Sequence, residues 1–109
     1  MEIKELSENI GLEEDEYLEI VELFLETTKT DLEKLGSGIH NDDTHQVVEA
    51  AHSIKGASAN LGLMEISEVA KKVERKARQN SLEGTAEAVK SIKEGCEQIA
   101  LSIRLGMST

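Results

Sequence analysis

The sequence predicts an all-α fold: an antiparallel up-down four-helix bundle with a short N-terminal lead helix. The 109 residues include no proline, the residue that interrupts helices most strongly. Apolar residues recur every three or four positions through four segments that are separated by glycine-containing breaks. The short connections between these segments favour antiparallel packing of neighbouring helices.

The length predicts a single domain that covers residues 1–109, because compact domains commonly contain ~100–150 residues. Hydrophobic residues make up 39% of the chain, with one Tyr, one Phe and no Trp. The core must therefore be built mainly from Leu, Ile, Val and Ala, a composition that favours helices packed on helices.

The lead helix is predicted over residues 2–10, where Ile3, Leu6 and Ile10 can share one side. Gly11 is expected to end it.

The first long helix is predicted over residues 13–35. The carboxylates in its first turn stabilise it by their interaction with the positive end of the helix dipole. Its predicted core stripe comprises Tyr17, Ile20, Val21, Phe24, Leu25, Thr28, Leu32 and Leu35. The cluster at residues 36–38, Gly-Ser-Gly, is interpreted as the next break.

Three further helices are predicted from about Asp42 to Leu61, over residues 63–79 and over residues 86–103. Gly62 suits the left-handed position after a helix end. The core stripes of these helices comprise Val47, Ala50, Ala51, Ile54, Ala57, Ser58 and Leu61; Ile66, Val69, Ala70, Val73 and Ala77; and Val89, Ile92, Cys96, Ile99, Ala100 and Ile103. Cys96 is thus interpreted as a small buried apolar residue.

The formal net charge of −10 argues against nucleic acid or an anionic membrane as the main partner, because both are themselves negative. One cysteine cannot form an intramolecular disulfide, and the first twenty residues carry no export signal. No stretch approaches the ~20 apolar residues that span a bilayer. These features predict a cytoplasmic protein whose partners are proteins.

Chemistry is concentrated in residues 50–62, Ala-Ala-His-Ser-Ile-Lys-Gly-Ala-Ser-Ala-Asn-Leu-Gly. His52, Lys55, Gly56 and Ala59 stand at i, i+3, i+4 and i+7, so one helical face holds all four. That face is turned away from the core stripe, so the histidine is expected to project from the bundle. A glycine within a helix costs ~1 kcal/mol relative to alanine, which suggests that the missing side chain serves access.

A neutral imidazole offers a nucleophilic lone pair near neutral pH. One turn along the helix, the ammonium group of Lys55 can neutralise the charge of a transferring phosphoryl group. The bare backbone at Gly56 leaves room for the active site of another protein to approach His52.

The pattern His52-x-x-Lys55-Gly56-x-x-x-Asn60-x-Gly62 resembles the histidine phosphotransfer (HPt) family of multistep phosphorelays. The resemblance covers residues 47–78 well, and the helix layout is compatible across most of the chain. It implies that the histidine is phosphorylated on Nε2, that the lysine supports the phosphoryl group, and that Gly56 leaves space for the receiver domain.

The resemblance also extends to the following helix, whose polar residues lie beside the histidine in that family. Glu74 and Arg78, four residues apart, are the expected neighbours of His52 here. Some members carry glutamine at the Glu74 position. Ala59 is assigned to the same binding face.

The resemblance implies a phosphoryl carrier and not an enzyme, in keeping with the lack of a Walker-type phosphate loop. It implies receiver domains of response regulators or hybrid histidine kinases as partners, with a sensor kinase as a further candidate donor. No cofactor is expected on this chain, since Mg²⁺ belongs to the receiver. A monomer is predicted because the histidine face must stay open.

Some interpretations remain open. The chain is either a free-standing carrier or part of a larger kinase, and the rival function is a non-phosphorylated adaptor or inhibitor that uses the same face. His40, Asp42, Asp43 and His45 match no zinc spacing. Residues 55–78 carry six of the twelve basic side chains, whereas residues 13–33 carry nine acids. The basic residues either steer docking of an acidic partner or pair with acids on their own helix.

Overall fold

The computed structural model describes residues 3–107, with side chains for residues 3–104. All regular structure in this part is helical, which confirms the predicted fold class. The helices are α1 (Ile3–Asn9), α2 (Glu14–His40), α3 (Thr44–Asn60), α4 (Met64–Arg78) and α5 (Thr85–Met107). The predicted helices match these bounds to within about two residues, except that α2 and α5 end later than predicted, at His40 and Met107. Residue 2 of the predicted lead helix lies outside the described residues.

The four long helices form a closed ring of contacts in the order α2, α3, α4, α5 and back to α2. Short α1 packs on α2. Within the described residues the diagonal pairs make no such contact, as in a four-helix bundle with short connections. Helix α3 therefore lies between α2 and α4, with one face left to solvent. None of the helices in residues 3–107 is long and apolar enough to cross a membrane.

The core is aliphatic, as the composition predicts. Tyr17 and Phe24 are its two aromatic members, and Thr28 takes a buried place in the α2 stripe. The buried Tyr17 hydroxyl donates to the carbonyl oxygen of Leu61 at 2.7 Å, and burial raises the pKa of Tyr17. This bond links α2 to the end of α3. The other buried apolar residues are Val21, Leu32, Leu35, Val47, Ala50, Ala51, Ile54, Leu61, Leu63, Ile66, Ala70, Val73, Ala77, Val89, Ile92, Ile99 and Ile103.

The predicted break at residues 36–38 is wrong, because α2 continues through it to His40. The glycine there serves packing. A Cβ atom on Gly38 would lie 2.9 Å from Val47 Cγ2, closer than real Cβ atoms pack, and 3.3 Å from the carbonyl oxygen of Asp43, which is a tight contact. Glycine at this position lets the start of α3 approach α2 closely, and the cost of an internal glycine is offset by that approach.

Six members of the predicted core stripes are not fully buried: Ile20 is exposed, and Leu25, Ala57, Val69, Cys96 and Ala100 are only partly buried. Ile20 is 42% exposed, because the apolar stripe of α2 is narrower than the sequence suggests. Cys96 is only partly buried and packs against the edge of the core. Burial, and to a lesser degree the neighbouring Glu97 charge, raise the pKa of the Cys96 thiol to about 11. The thiol is thus protonated and weakly nucleophilic at neutral pH.

The ends of α3 follow from local sequence. Asp43 Oδ1 accepts from the Gln46 backbone N–H at 3.1 Å, so the helix begins at Thr44 and not at Asp42. At the other end Gly62 has φ +77°, the left-handed conformation predicted for it. These two caps fix the length of the helix that carries His52.

Candidate functional site

Packing of α3 sets the direction of His52. Ala51 and Ile54, its neighbours on the core side, are fully buried between the helices. The rotation of α3 that buries them leaves 63% of the His52 side chain exposed. The histidine thus projects from the bundle, as the sequence predicts, at the edge where α3 meets α4.

Glu74 of α4 lies directly beside the histidine and is the most buried charged group of the site, with 6% of its side chain exposed. It accepts three hydrogen bonds. His52 Nδ1 lies 2.8 Å from Glu74 Oε2, Lys55 Nζ donates to Oε1 at 2.6 Å, and Arg78 Nη2 donates to Oε2 at 2.9 Å. The structure therefore brings His52, Lys55, Glu74 and Arg78 together.

The carboxylate of Glu74 is ionised at neutral pH. Burial alone raises its pKa, but the hydrogen bonds from Lys55, Arg78 and His52 outweigh burial and lower the pKa to about 2. An ionised carboxylate only accepts hydrogen bonds, so His52 Nδ1 must be the donor. In the neutral imidazole the proton then resides on Nδ1, and Nε2 carries the free lone pair.

Nε2 makes no hydrogen bond with the described residues. It is therefore the ring nitrogen that remains available to an incoming electrophile.

Lys55 is partly buried against α4. Its backbone carbonyl accepts from Ser67 Oγ at 3.1 Å, a bond that ties α3 to α4 one turn from the histidine. An ammonium group has three N–H donors, and Glu74 uses one. The remaining donors can meet the oxygens of an anion that approaches His52.

Gly56 and Ala59 lie on the exposed face of α3, next to His52 along the helix. Among the described residues, a Cβ atom on Gly56 would meet no neighbouring atom within 4 Å. Close packing inside this chain therefore does not explain the glycine, in contrast to Gly38. The two residues give a smooth surface over which another molecule can approach the imidazole.

Sequence reasoning missed one polar contact beside the site. On the α2 side of His52, Ser53 Oγ donates to Asp31 Oδ2 at 2.7 Å, and Asp31 is buried. This bond joins α2 to α3 next to the histidine. The signal was present, because Asp31 stands three residues after Thr28 and four before Leu35, at a core position of the stripe.

Within the described residues the other two histidines, His40 and His45, form no hydrogen bond or ion pair with this cluster. His45 Nε2 lies 3.0 Å from Glu49 Oε1 on the exposed side of α3. Among the described residues no group of three or more His, Cys, Asp or Glu side chains is arranged to hold a metal ion.

Comparisons with known proteins agree with the helical fold. The solved structure of histidine-containing phosphotransfer protein B (HptB) from Pseudomonas aeruginosa PAO1 superposes with a TM-score of 0.81. It is 22% identical in sequence, and the match covers 93% of this chain and 88% of that one; at this identity it shows a shared fold. No curated protein sequence matches the chain. A profile of the Hpt domain matches residues 19–101, most of the chain and all four site residues. The chain therefore belongs to the Hpt domain family, the phosphoryl carriers of phosphorelays.

Proposed function

We propose that His52 is the residue that carries the phosphoryl group, accepting it on Nε2 and exchanging it with an aspartate of receiver domains. The observation that carries the proposal is the hydrogen bond between His52 Nδ1 and the buried Glu74 carboxylate, with 2.8 Å between the two atoms. It holds the proton on Nδ1, orients the ring and leaves an exposed lone pair on Nε2.

The transfer is a displacement at phosphorus. The Nε2 lone pair forms the N–P bond while the P–O bond to the receiver aspartate breaks, and the aspartate leaves as a carboxylate. The imidazole keeps its Nδ1 proton and becomes cationic, a charge that the adjacent Glu74 carboxylate stabilises. The reverse reaction returns the phosphoryl group to an aspartate by the same path.

Lys55 supports the phosphoryl group with the N–H donors that Glu74 does not use. Arg78 holds Glu74 from the other side and adds positive charge at the site. Gly56 and Ala59 leave access for the receiver. The receiver supplies Mg²⁺ and the rest of the catalytic apparatus, so this chain serves as carrier.

We further propose that residues 1–109 act as one monomeric domain, because a dimer through the exposed α3 face would cover His52. The partners are receiver domains of response regulators or hybrid histidine kinases, with a sensor kinase as a further donor. A cytoplasmic location remains a prediction from the sequence.

The proposal is tested by phosphotransfer from a panel of phosphorylated receiver domains to the wild type and to His52→Gln. The matched control is His45→Gln, since His45 lies on the same helix, is exposed and also contacts a glutamate. We expect label on the wild type and on His45→Gln that survives alkali and is lost in acid, as a phosphoramidate bond is, and no label on His52→Gln.

Label retained by His52→Gln would refute the site. A chain that takes up no label from any receiver, or from a small donor such as phosphoramidate, would favour the adaptor function instead.

A further inference from the structure

A row of basic side chains runs along α4 beside the candidate site. Lys71, Arg75 and Arg78 stand at i, i+4 and i+7, so they share one edge of the helix. We call these three residues the basic stripe. Glu74, which contacts His52, and Ser67, which contacts the Lys55 carbonyl, lie next to this edge on the helical wheel. The stripe therefore flanks the solvent side of the α3–α4 boundary.

The first two members of the stripe are not neutralised within the described part of the chain. Lys71 and Arg75 are exposed and form no ion pair there. Glu65 and Glu68, the other acids of α4, also form none. Pairing along the helix therefore does not account for these two cations, although it does account for Arg78, which holds Glu74.

The basic stripe is a positively charged region on a molecule whose net charge is −10. The chain carries 22 acids against 12 basic residues, and most of its surface repels an acidic partner. The basic stripe, in which Lys71 and Arg75 form no ion pair with the described residues, gives such a partner one attractive approach beside the exposed histidine. The stripe adjoins the histidine, because Arg78 and His52 both bind Oε2 of Glu74.

We propose that the basic stripe binds an acidic surface of the receiver domain that exchanges phosphoryl groups with His52, and so selects among receivers. The inference rests on the proposed function of His52. Complementary charge at the rim of a docking surface mainly raises the association rate and penalises the wrong partners. Nucleic acid is the weaker candidate for the same cations, because the net charge of −10 opposes a polyanion along the rest of the surface.

The test measures transfer from the phosphorylated chain, loaded with phosphoramidate, to a panel of purified receiver domains. The test variant is Lys71→Glu with Arg75→Glu. The control is Lys90→Glu with Lys93→Glu, which makes the same change in net charge on exposed residues of α5. Helix α5 packs on α2 and α4 but not on α3, so the control charges lie away from His52.

We expect phosphoramidate to label His52 equally in all three proteins, within about twofold, since this donor needs no docking surface. Transfer to the preferred receivers should fall roughly tenfold or more in the test variant at low salt, and the loss should shrink near ~0.5 M salt. The control should stay within about twofold of the wild type.

Three results would overturn the inference: equal transfer by the test variant, an equal loss in the control, or a loss that salt does not relieve. Binding of a single-stranded oligonucleotide at ~0.15 M salt that the test variant abolishes would assign the stripe to nucleic acid instead. Failure of phosphoramidate to label His52 in the wild type would refute the proposed function itself, an outcome distinct from all of these.

Discussion

Helix α3 carries two histidines, His45 and His52, that each contact a glutamate at a similar distance but in very different surroundings. His45 and Glu49 lie 3.0 Å apart on one turn of the helix, with 84% and 68% of their side chains exposed. His52 and Glu74 lie 2.8 Å apart and come from different helices, and only 6% of the Glu74 side chain is exposed. Glu74 also binds two cationic side chains, those of Lys55 and Arg78.

The difference shows that burial of the acid, and not the distance, separates a site from a surface contact. Water competes for an exposed carboxylate, so a surface pair contributes little and does not hold a ring in place. A buried carboxylate must keep its partners, because losing one would leave an unpaired charge away from water. Glu74 is therefore expected to fix the tautomer of His52, whereas Glu49 only touches His45.

The largest expected effect that tests this contrast is on stability in acid. Glu74 has a folded pKa of about 2 against an ordinary value of 4.5, so its ionised form favours the folded state. This contribution is fully present above pH 4.5 and is lost as the pH falls toward 2. The difference between the two pKa values corresponds to about 3 kcal/mol.

Urea unfolding between pH 6 and pH 3 measures the effect, with Glu74→Gln as the reference that lacks the titrating group. The free energy of unfolding of the wild type should exceed that of the variant at pH 6, and the gap should narrow steadily as the pH falls. A gap that stays constant over this range would mean that Glu74 does not hold its partners as described.

The next effect is on transfer rate. Glu74→Ala removes the acceptor for His52 Nδ1, so the ring can turn and take either tautomer. We expect phosphotransfer to fall roughly 10–100-fold, by analogy with the loss seen when the group that orients a metal-binding histidine is removed. Glu49→Ala should leave the rate within about twofold. Circular dichroism checks that Glu74→Ala and Glu49→Ala both fold. A third variant, Glu74→Gln, keeps an acceptor oxygen and should therefore retain more activity than Glu74→Ala. Equal rates for Glu74→Ala and Glu49→Ala would remove the distinction between the two pairs.

Much of this arrangement could be predicted from the sequence, because it depends on local pattern. The helical stripes gave the four long helices, and the spacing of His52, Lys55 and Gly56 placed them on one exposed face. Features that depend on distances between helices could not be obtained in this way. The contact between His52 and Glu74 joins residues 22 positions apart, and only packing of α4 against α3 brings them within bonding distance.

The two kinds of helical glycine illustrate the same limit. From the sequence alone, Gly38 is expected to belong to a break and Gly56 is expected to lie within a helix and serve access. The structure shows that Gly38 makes room for Val47, whereas a Cβ atom on Gly56 would meet no described residue across the helix boundary within 4 Å. Only the neighbours across the helix boundary distinguish a packing glycine from one that leaves a surface open.

The smallest expected effect tests that distinction. Gly56→Ala should stabilise the protein by about 0.5–1 kcal/mol, because alanine favours the helix and its methyl group meets no neighbour. Gly38→Ala should instead destabilise it, by roughly 1–3 kcal/mol, because the methyl group collides with Val47. Thermal or urea unfolding measures both changes.

If Gly56 leaves access for a receiver, the more stable Gly56→Ala variant should also exchange phosphoryl groups with receivers more slowly than the wild type, while labelling of His52 by phosphoramidate stays unchanged. A variant that is both more stable and equally fast with receivers would leave the glycine without a role in docking.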